Sequence, residues 1–411
     1  MIDLGLLRKD PDKVRELLAK KEPSFDFKKL YELDVHVRNV RIEVENLRHK
    51  KNELAAQAKS GITPEIREQS ISIGKLLKES ETSLEKLESE FNDLYLRCPN
   101  LPEEDLPIGG KEANKPIKVF GSKAIFTFPI KNHVELGAKN GWFDFEAAAV
   151  MTGSNFVLYK GDAVKLLYSL TFMMLKNNWD HGYSPVLPPY LVNEASLEIA
   201  SNFPKFKDQV YAMPEEKLFL TPTSEVNLTN LYRKHIFAYE QLPVRMTSWN
   251  SCFRTEAGKY GAVERGLIRI HQFEKVELYT ICEPQKSNEE QDRMLACAEQ
   301  ILQKLGLHYR VSLLAMQDCS FPSARTYDIE VWMPGQNAYY EVSSISNCTD
   351  FQARRGMIRY RASADEKPEL VHTLNGSSLA LPRLMVALME TYQQEDGSIK
   401  LPDVIMQGPW F

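Results

Sequence analysis

Between Leu30 and Leu54 the apolar residues fall at positions 30, 33, 37, 40, 44, 47 and 54, in steps of three and four, with Lys51 as the one intruder. That spacing predicts a long helix carrying a coiled-coil seam. A second series, mostly Ile, Leu and Phe, runs through 66, 70, 73, 77, 80, 84, 87, 91 and 94, with serine at 70 and 80. Gly61 can stop one helix and Pro64 can start the next, so the two are expected to fold back as an antiparallel hairpin over 28–97. About 30 residues at 1.5 Å each make an arm of roughly 45 Å.

Both periodicities break at 98–118, where four prolines and Gly109-Gly110 read as a linker. Beyond it, strand-like and helical stretches alternate. Strands are expected at 155–160, 218–221, 244–256, 266–281, 309–315, 326–333 and 338–346, and helices at 162–178, 288–305 and 378–393. Several strands follow one another without an intervening helix. The fold class is therefore α+β, a largely antiparallel sheet flanked by helices, behind an N-terminal coiled-coil arm. The expected domains are 1–97, the linker 98–118 and a larger domain at 119–411.

Composition excludes several classes. Apolar residues are 43% and charged residues 26% of the 411, which is globular. No apolar run reaches the roughly 18 residues that span a bilayer, so no membrane association is expected. The first residues interleave charge with Leu6, Leu7, Val14, Leu17 and Leu18 at helical spacing, unlike a secretory leader, and point to a cytoplasmic protein. Six scattered cysteines form no C-x-x-C pair, against a disulfide framework or a structural zinc site. The net charge of −5 discourages binding to DNA. Locally the balance differs: residues 28–60 hold 8 Lys/Arg against 5 Asp/Glu, and 61–97 hold the reverse. The first helix is thus a candidate polyanion face, or its charges pair across the seam and solvate an ordinary coiled coil.

The common nucleotide and hydrolase signatures are absent, among them G-x-x-x-x-G-K-[ST], G-x-G-x-x-G after a strand, H-E-x-x-H and G-x-S-x-G. The segment 253–277, FRTEAGKYGAVERGLIRIHQFEKVE, reads as two strands around a Gly-bounded loop. Period-2 geometry places Arg254 with Glu256 on one face, and Phe273 with Glu277 on the returning strand. A guanidinium, a carboxylate acceptor and an aromatic plate suit ATP and an amino acid; the same pattern suits a hairpin with charged pairs on an exposed face. His271 reads as a packing residue rather than a base.

Added segments change that balance. The chain resembles seryl-tRNA synthetases, a class II aminoacyl-tRNA synthetase family, over nearly its full length. HGYSPVLPPYLV at 181–192 is similar to class II motif 1, the FRTEAG…HQFEKVE hairpin to motif 2, and LNGSSLALPR at 374–383 to motif 3. TSE at 223–225 is similar to the serine-specific signature, and EVSS at 341–344 followed by FQARR at 351–355 to the family's metal-binding strand and its continuation.

The resemblance implies roles. Arg254 would clamp the α-phosphate and the substrate carboxylate, and Arg383 the γ-phosphate. Glu256 would accept from the adenine amine and Phe273 stack on the ring, within an ATP set that also includes Thr255, Glu341, Val342, Ser343 and Ser344. Glu341 and Ser344 would hold Mg²⁺. L-serine would meet Thr223, Ser224, Glu225, Arg254, Glu277, Asn375 and Ser377, the last doubling with Ser378 as a candidate helix N-cap. The implied partners are tRNA(Ser), gripped by Arg38, Arg41, Arg48, Lys50 and Lys51 of the arm, and a second copy of the chain, with tRNA(Sec) left open as a further acceptor. Three stretches depart from the family pattern: the 261–266 loop GAVERG, Gln317–Ser320 followed by Arg325 where Lys is usual, and Asn227 in place of Pro.

Overall fold

Asp26 starts the first arm helix, accepting from the Lys29 backbone N–H at 3.0 Å, and the helix runs Phe27–Ala58 (α1). Thr63 caps its partner Pro64–Leu96 (α2), whose first residue is a proline fit for that position. In this computed structural model, which describes residues 1–59, 61–256, 266–363 and 365–406, Ile2–Pro99 form one compact unit and Asn100 onward another. Leu30, Leu33, Val37, Val44 and Leu54 of α1 and Leu77 and Phe91 of α2 are buried, while seam positions 66, 73, 80 and 84 are only half-buried and 70 is open. Two helices alone can cover no more than one stripe of each other, so charge takes over at the margins. Lys29 meets Glu90 at 2.7 Å, Arg41 meets Glu88 at 2.5 Å and Arg48 meets Glu81 at 2.7 Å across the hairpin. Inside, buried Asp34 is held by Arg8 at 2.7 Å and Arg38 at 3.0 Å.

The second unit is built on an eight-stranded sheet. Its strands in chain order are Lys115–Phe120 (β1), Ser184–Pro185 (β2), Val244–Phe253 (β3), Gln272–Cys282 (β4), Tyr309–Leu313 (β5), Arg325–Met333 (β6), Ala338–Asn347 (β7) and His372–Ala380 (β8). They lie side by side as β1-β5-β6-β7-β8-β4-β3-β2, antiparallel throughout except for the short β2–β3 contact. Helices Asp162–Asp180 (α4), Ser287–Lys304 (α6) and Leu381–Thr391 (α7) share its core through Leu166, Leu170, Met294, Ile301, Leu384 and Leu388. Two smaller helices matter for the site: His133–Asn140 (α3) and Ser224–Leu231 (α5).

Several expectations are corrected. Residues 115–118, read as linker, are the start of β1, because Pro116 sits on an edge strand, where a missing N–H is harmless. The strand expected over 244–256 ends at Phe253, and Glu256 has φ of +50°, so alternation along a strand is not what relates Arg254 to Glu256. Residues 266–268 form a 3-10 turn rather than the start of a strand. Ser377 and Ser378 lie within β8 and cap nothing; α7 starts at Leu381, with Pro382 in its first turn. The departing loop 261–266 falls outside the described residues except for Gly266.

Candidate active site

Phe273, Lys275 and Glu277 alternate along β4 and so project from one face of the sheet. Two adjoining hollows open over that face. One is walled by Arg254, Glu256, Phe273, Val342 and Arg383; the other by Thr223, Glu225, Glu277, Ser344 and Asn375. Arg254, Lys275, Glu341 and Ser377 belong to both.

The second hollow is a hydrogen-bonded cage. Thr223 ends a short loop and caps α5, and its hydroxyl donates to Glu277 Oε2 at 3.0 Å. Buried Lys275 is ion-paired with Glu277 and donates to the Thr223 hydroxyl at 2.8 Å. Glu277 stands directly across the ladder from Ser377. Glu225 accepts from Gln352 Nε2 at 2.6 Å and Asn375 Nδ2 at 3.1 Å. Burial first, and the Glu277 charge second, push the Glu225 carboxyl up to about 7. A cage of this kind can accept an ammonium and a hydroxyl together.

The first hollow is lined by cations and a ring. The Arg254 guanidinium lies 5.3 Å from the Phe273 ring centre and its Nε donates to Pro222 O at 3.3 Å. Its backbone is pinned by His271, whose carbonyl accepts from Arg254 N at 2.9 Å and whose Nδ1 lies 3.0 Å from Arg254 O. His271 thus holds the turn. Arg383, in the first turn of α7, donates from Nη1 to Glu341 O at 2.8 Å and from Nε to Ile268 O at 3.3 Å. Glu256 is paired with Arg269 at 2.8 Å.

For Mg²⁺ the donor set fits. Glu341 is half-exposed, Ser344 lies opposite Asp328 in the β6–β7 ladder, and every donor offered is a hard oxygen. Asp328 Oδ1 is buried without a partner, and burial together with the Glu341 charge raises that carboxyl. Arg383 Nη1, 3.8 Å from Glu341 Oε2, is the cation beside this group of carboxylates. Among the described residues no three His, Cys, Asp or Glu side chains form a metal group.

Other expected residues lie apart from the hollows. The Ser224 hydroxyl is buried on Asn250 at 2.6 Å, that of Thr255 donates to Asp208 O at 2.8 Å, and that of Ser343 is bonded to Ser377 O. In the other unit, Arg38, Arg41 and Arg48 are engaged in ion pairs, whereas exposed Lys50 and Lys51 have no ion-pair partner among the described residues. The family departures have structural partners: Arg325 pairs with Glu103 at 2.6 Å and also with Asp105, and Asn227 joins Thr221 at 2.9 Å to Pro189 O at 2.7 Å.

Three polar residues escaped sequence reasoning. Lys275 shares the parity of Phe273 and Glu277, and that alternation was the available signal. Gln352 is in the recognised FQARR segment but was not singled out, and Arg269 lies where a plain strand was expected.

Comparison with known proteins gives a consistent result. Residues 1–102 match the model of the seryl-tRNA synthetase N-terminal domain, and 206–392 match that of the class II tRNA synthetase core domain (G, H, P, S and T). The chain is 43% identical to a serine–tRNA ligase of Desulfotalea psychrophila, covering 100% of this chain and 99% of that one. It is also 43% identical to a serine–tRNA ligase of Janthinobacterium sp. over 98% of this chain and 97% of the other. A crystal structure of seryl-tRNA synthetase from Pyrococcus horikoshii complexed with ATP superposes with a TM-score of 0.93 at 33% identity, over 100% of this chain and 98% of that one.

Proposed function

The chain belongs to the seryl-tRNA synthetase family, and from that premise we propose that it is a serine–tRNA ligase, activating L-serine with ATP and passing the seryl group to the 3′ end of tRNA(Ser). The observation that carries the reading is that Arg254 faces both hollows, so one guanidinium meets triphosphate on one side and amino acid on the other. A planar fork that keeps its charge suits two anions better than lysine would.

In this reading serine enters the cage with its ammonium on Thr223 and Glu225 and its hydroxyl near Glu277 and Ser377. Its carboxylate, held by Arg254, attacks the α-phosphorus; the bond to pyrophosphate breaks, leaving seryl-adenylate. Glu256 takes the adenine amine, Phe273 stacks on the ring, and Arg383 meets the γ-phosphate. Glu341 and Ser344 would hold Mg²⁺, which would supply further positive charge against the phosphates. No side chain needs to act as a nucleophile; alignment and charge supply the rate. The ribose hydroxyl of the tRNA terminus then displaces AMP from the adenylate and takes the seryl ester.

The arm meets tRNA(Ser) by backbone and shape, as structured RNA is usually read. Lys50 and Lys51 are the best-supported contacts, because they are exposed and free of ion pairs among the described residues. A homodimer is supported by Phe172 and Trp179, exposed seven residues apart on α4, with exposed Leu187 beyond. A cytoplasmic location is supported by six cysteines that are all buried thiols. No helix among the described residues is long and apolar enough to cross a membrane.

Serine-dependent ATP–pyrophosphate exchange, followed by charging of purified tRNA with labelled serine and with threonine as control, tests the reading. Absence of exchange would remove the enzyme assignment. Sedimentation at the 47.1 kDa of one chain would remove the dimer.

A further inference from the structure

Helix α7 carries a second polar residue two turns beyond Arg383, the fully buried Glu390. Seven residues on a helix return to nearly the same face. Both residues hold the turn 266–268. Arg383 does so directly, through Nε on Ile268 O at 3.3 Å. Glu390 does so through His133, which begins α3 and is itself 2% exposed. The Leu267 backbone N–H donates to His133 Nε2 at 3.2 Å. With that nitrogen accepting, the ring proton lies on Nδ1 and donates to Glu390 Oε1 at 3.1 Å. Glu390 also accepts from His133 N at 3.0 Å, Gly335 N at 2.9 Å and Gln336 Nε2 at 2.9 Å, so its orientation is fixed by four donors.

This turn is also a wall of the site. Leu267, Ile268 and Arg269 line the hollow that contains Phe273 and Arg383, and Arg269 is the partner of Glu256. The approach at the turn is close: Gly266 has φ of +68°, and a Cβ there would come within 2.2 Å of His133 Nε2. A buried histidine that spends one nitrogen on a loop N–H and the other on a carboxylate serves as a fixed spacer. We propose that His133, oriented by Glu390, is a positioning residue for nucleotide binding, setting the Leu267–Arg269 wall against which the base is held. The inference rests on the ATP reading given above.

Serine-dependent pyrophosphate exchange by the full-length protein separates the two. If the wild-type chain shows no exchange, the ATP reading itself fails. Given wild-type exchange, H133N, which retains a donor near Nδ1 but cannot reach Leu267 N, is expected to raise the KM for ATP about tenfold, the loss of one buried hydrogen bond, and to leave the KM for serine within about twofold. H133Q, whose amide oxygen reaches the Nε2 position, should recover most of that loss. A KM for ATP unchanged in H133N, equal rises in both KM values, or no difference between H133N and H133Q would each overturn the proposal. If H133N does not fold, E390Q must raise the KM for ATP selectively, and an unselective rise overturns it equally.

Discussion

Gln352 Nε2 donates to Glu225 Oε1 at 2.6 Å, and this bond helps hold a carboxylate beside a second one, Glu277, in a largely buried cage. The hydrogen bond favours the ionised form of Glu225, but burial and the Glu277 charge outweigh it and leave the carboxyl at about 7. In the proposed function that carboxylate is a partner of the serine ammonium.

Serine affinity should therefore depend on pH. Binding requires ionised Glu225, so the KM for serine is expected to rise about tenfold for each pH unit below 7 and to level off above it. In E225Q the KM should be high and nearly flat across that range. A wild-type profile flat from pH 6 to pH 8 would contradict the role given to Glu225.

Lys275 is the counter-ion of Glu277, and both are buried. Removing one member of a buried pair strands the other, at about 3–5 kcal/mol. K275M should lower stability to chemical denaturation by an amount of that order. The double variant K275M/E277L should recover much of it while leaving serine activation lost. Equal stability of K275M and wild type would show the pair to be dispensable.

The Mg²⁺ role proposed for Glu341 and Ser344 predicts metal dependence. Chelation of divalent ions should abolish exchange, and E341Q should raise the Mg²⁺ needed for half-maximal exchange by about tenfold or more. An unchanged requirement in E341Q would move the ion elsewhere.

On the arm, K50E/K51E should reduce charging of tRNA, most strongly at low salt and less so as salt rises, while exchange stays at the wild-type level. R48E instead breaks the cross-hairpin pair with Glu81, and exposed pairs contribute only about 0.2–1 kcal/mol, so its main effect should be a small loss of arm stability. Deleting residues 35–92 should spare exchange and abolish charging. Parallel loss of both reactions in that deletion would end the division of labour between arm and catalytic unit.

The arm was readable because its seam repeats over nine and seven positions, and a repeat that long leaves little freedom of assignment. The sheet was readable in kind, since consecutive strands such as β6 and β7 lack a helix between them. What stayed hidden was set by contacts distant in sequence. Strand β3 ends at Phe253 because Thr255 N is diverted to Gln209 O at 3.1 Å, and no local pattern announces that. Ser377 and Ser378 look like cap residues, but they are claimed by β8, whose ladder with β4 outweighs a local preference. Arg254 and Glu256 reach one hollow by way of a turn rather than along a strand. Lys275 is hard to read from sequence because an inward lysine is uncommon, and nothing local shows that the carboxylate two residues on is its partner.

Of the ion pairs across the hairpin, Arg41–Glu88 and Arg48–Glu81 step by seven residues on both helices, the same step as the apolar seam beside them. An arm built on that repeat keeps its buried seam facing its partner only when whole heptads are added to or taken from both helices at once. Its span is therefore quantised, and the arm can serve as a molecular ruler whose graduation is one seven-residue step, about 10 Å of reach.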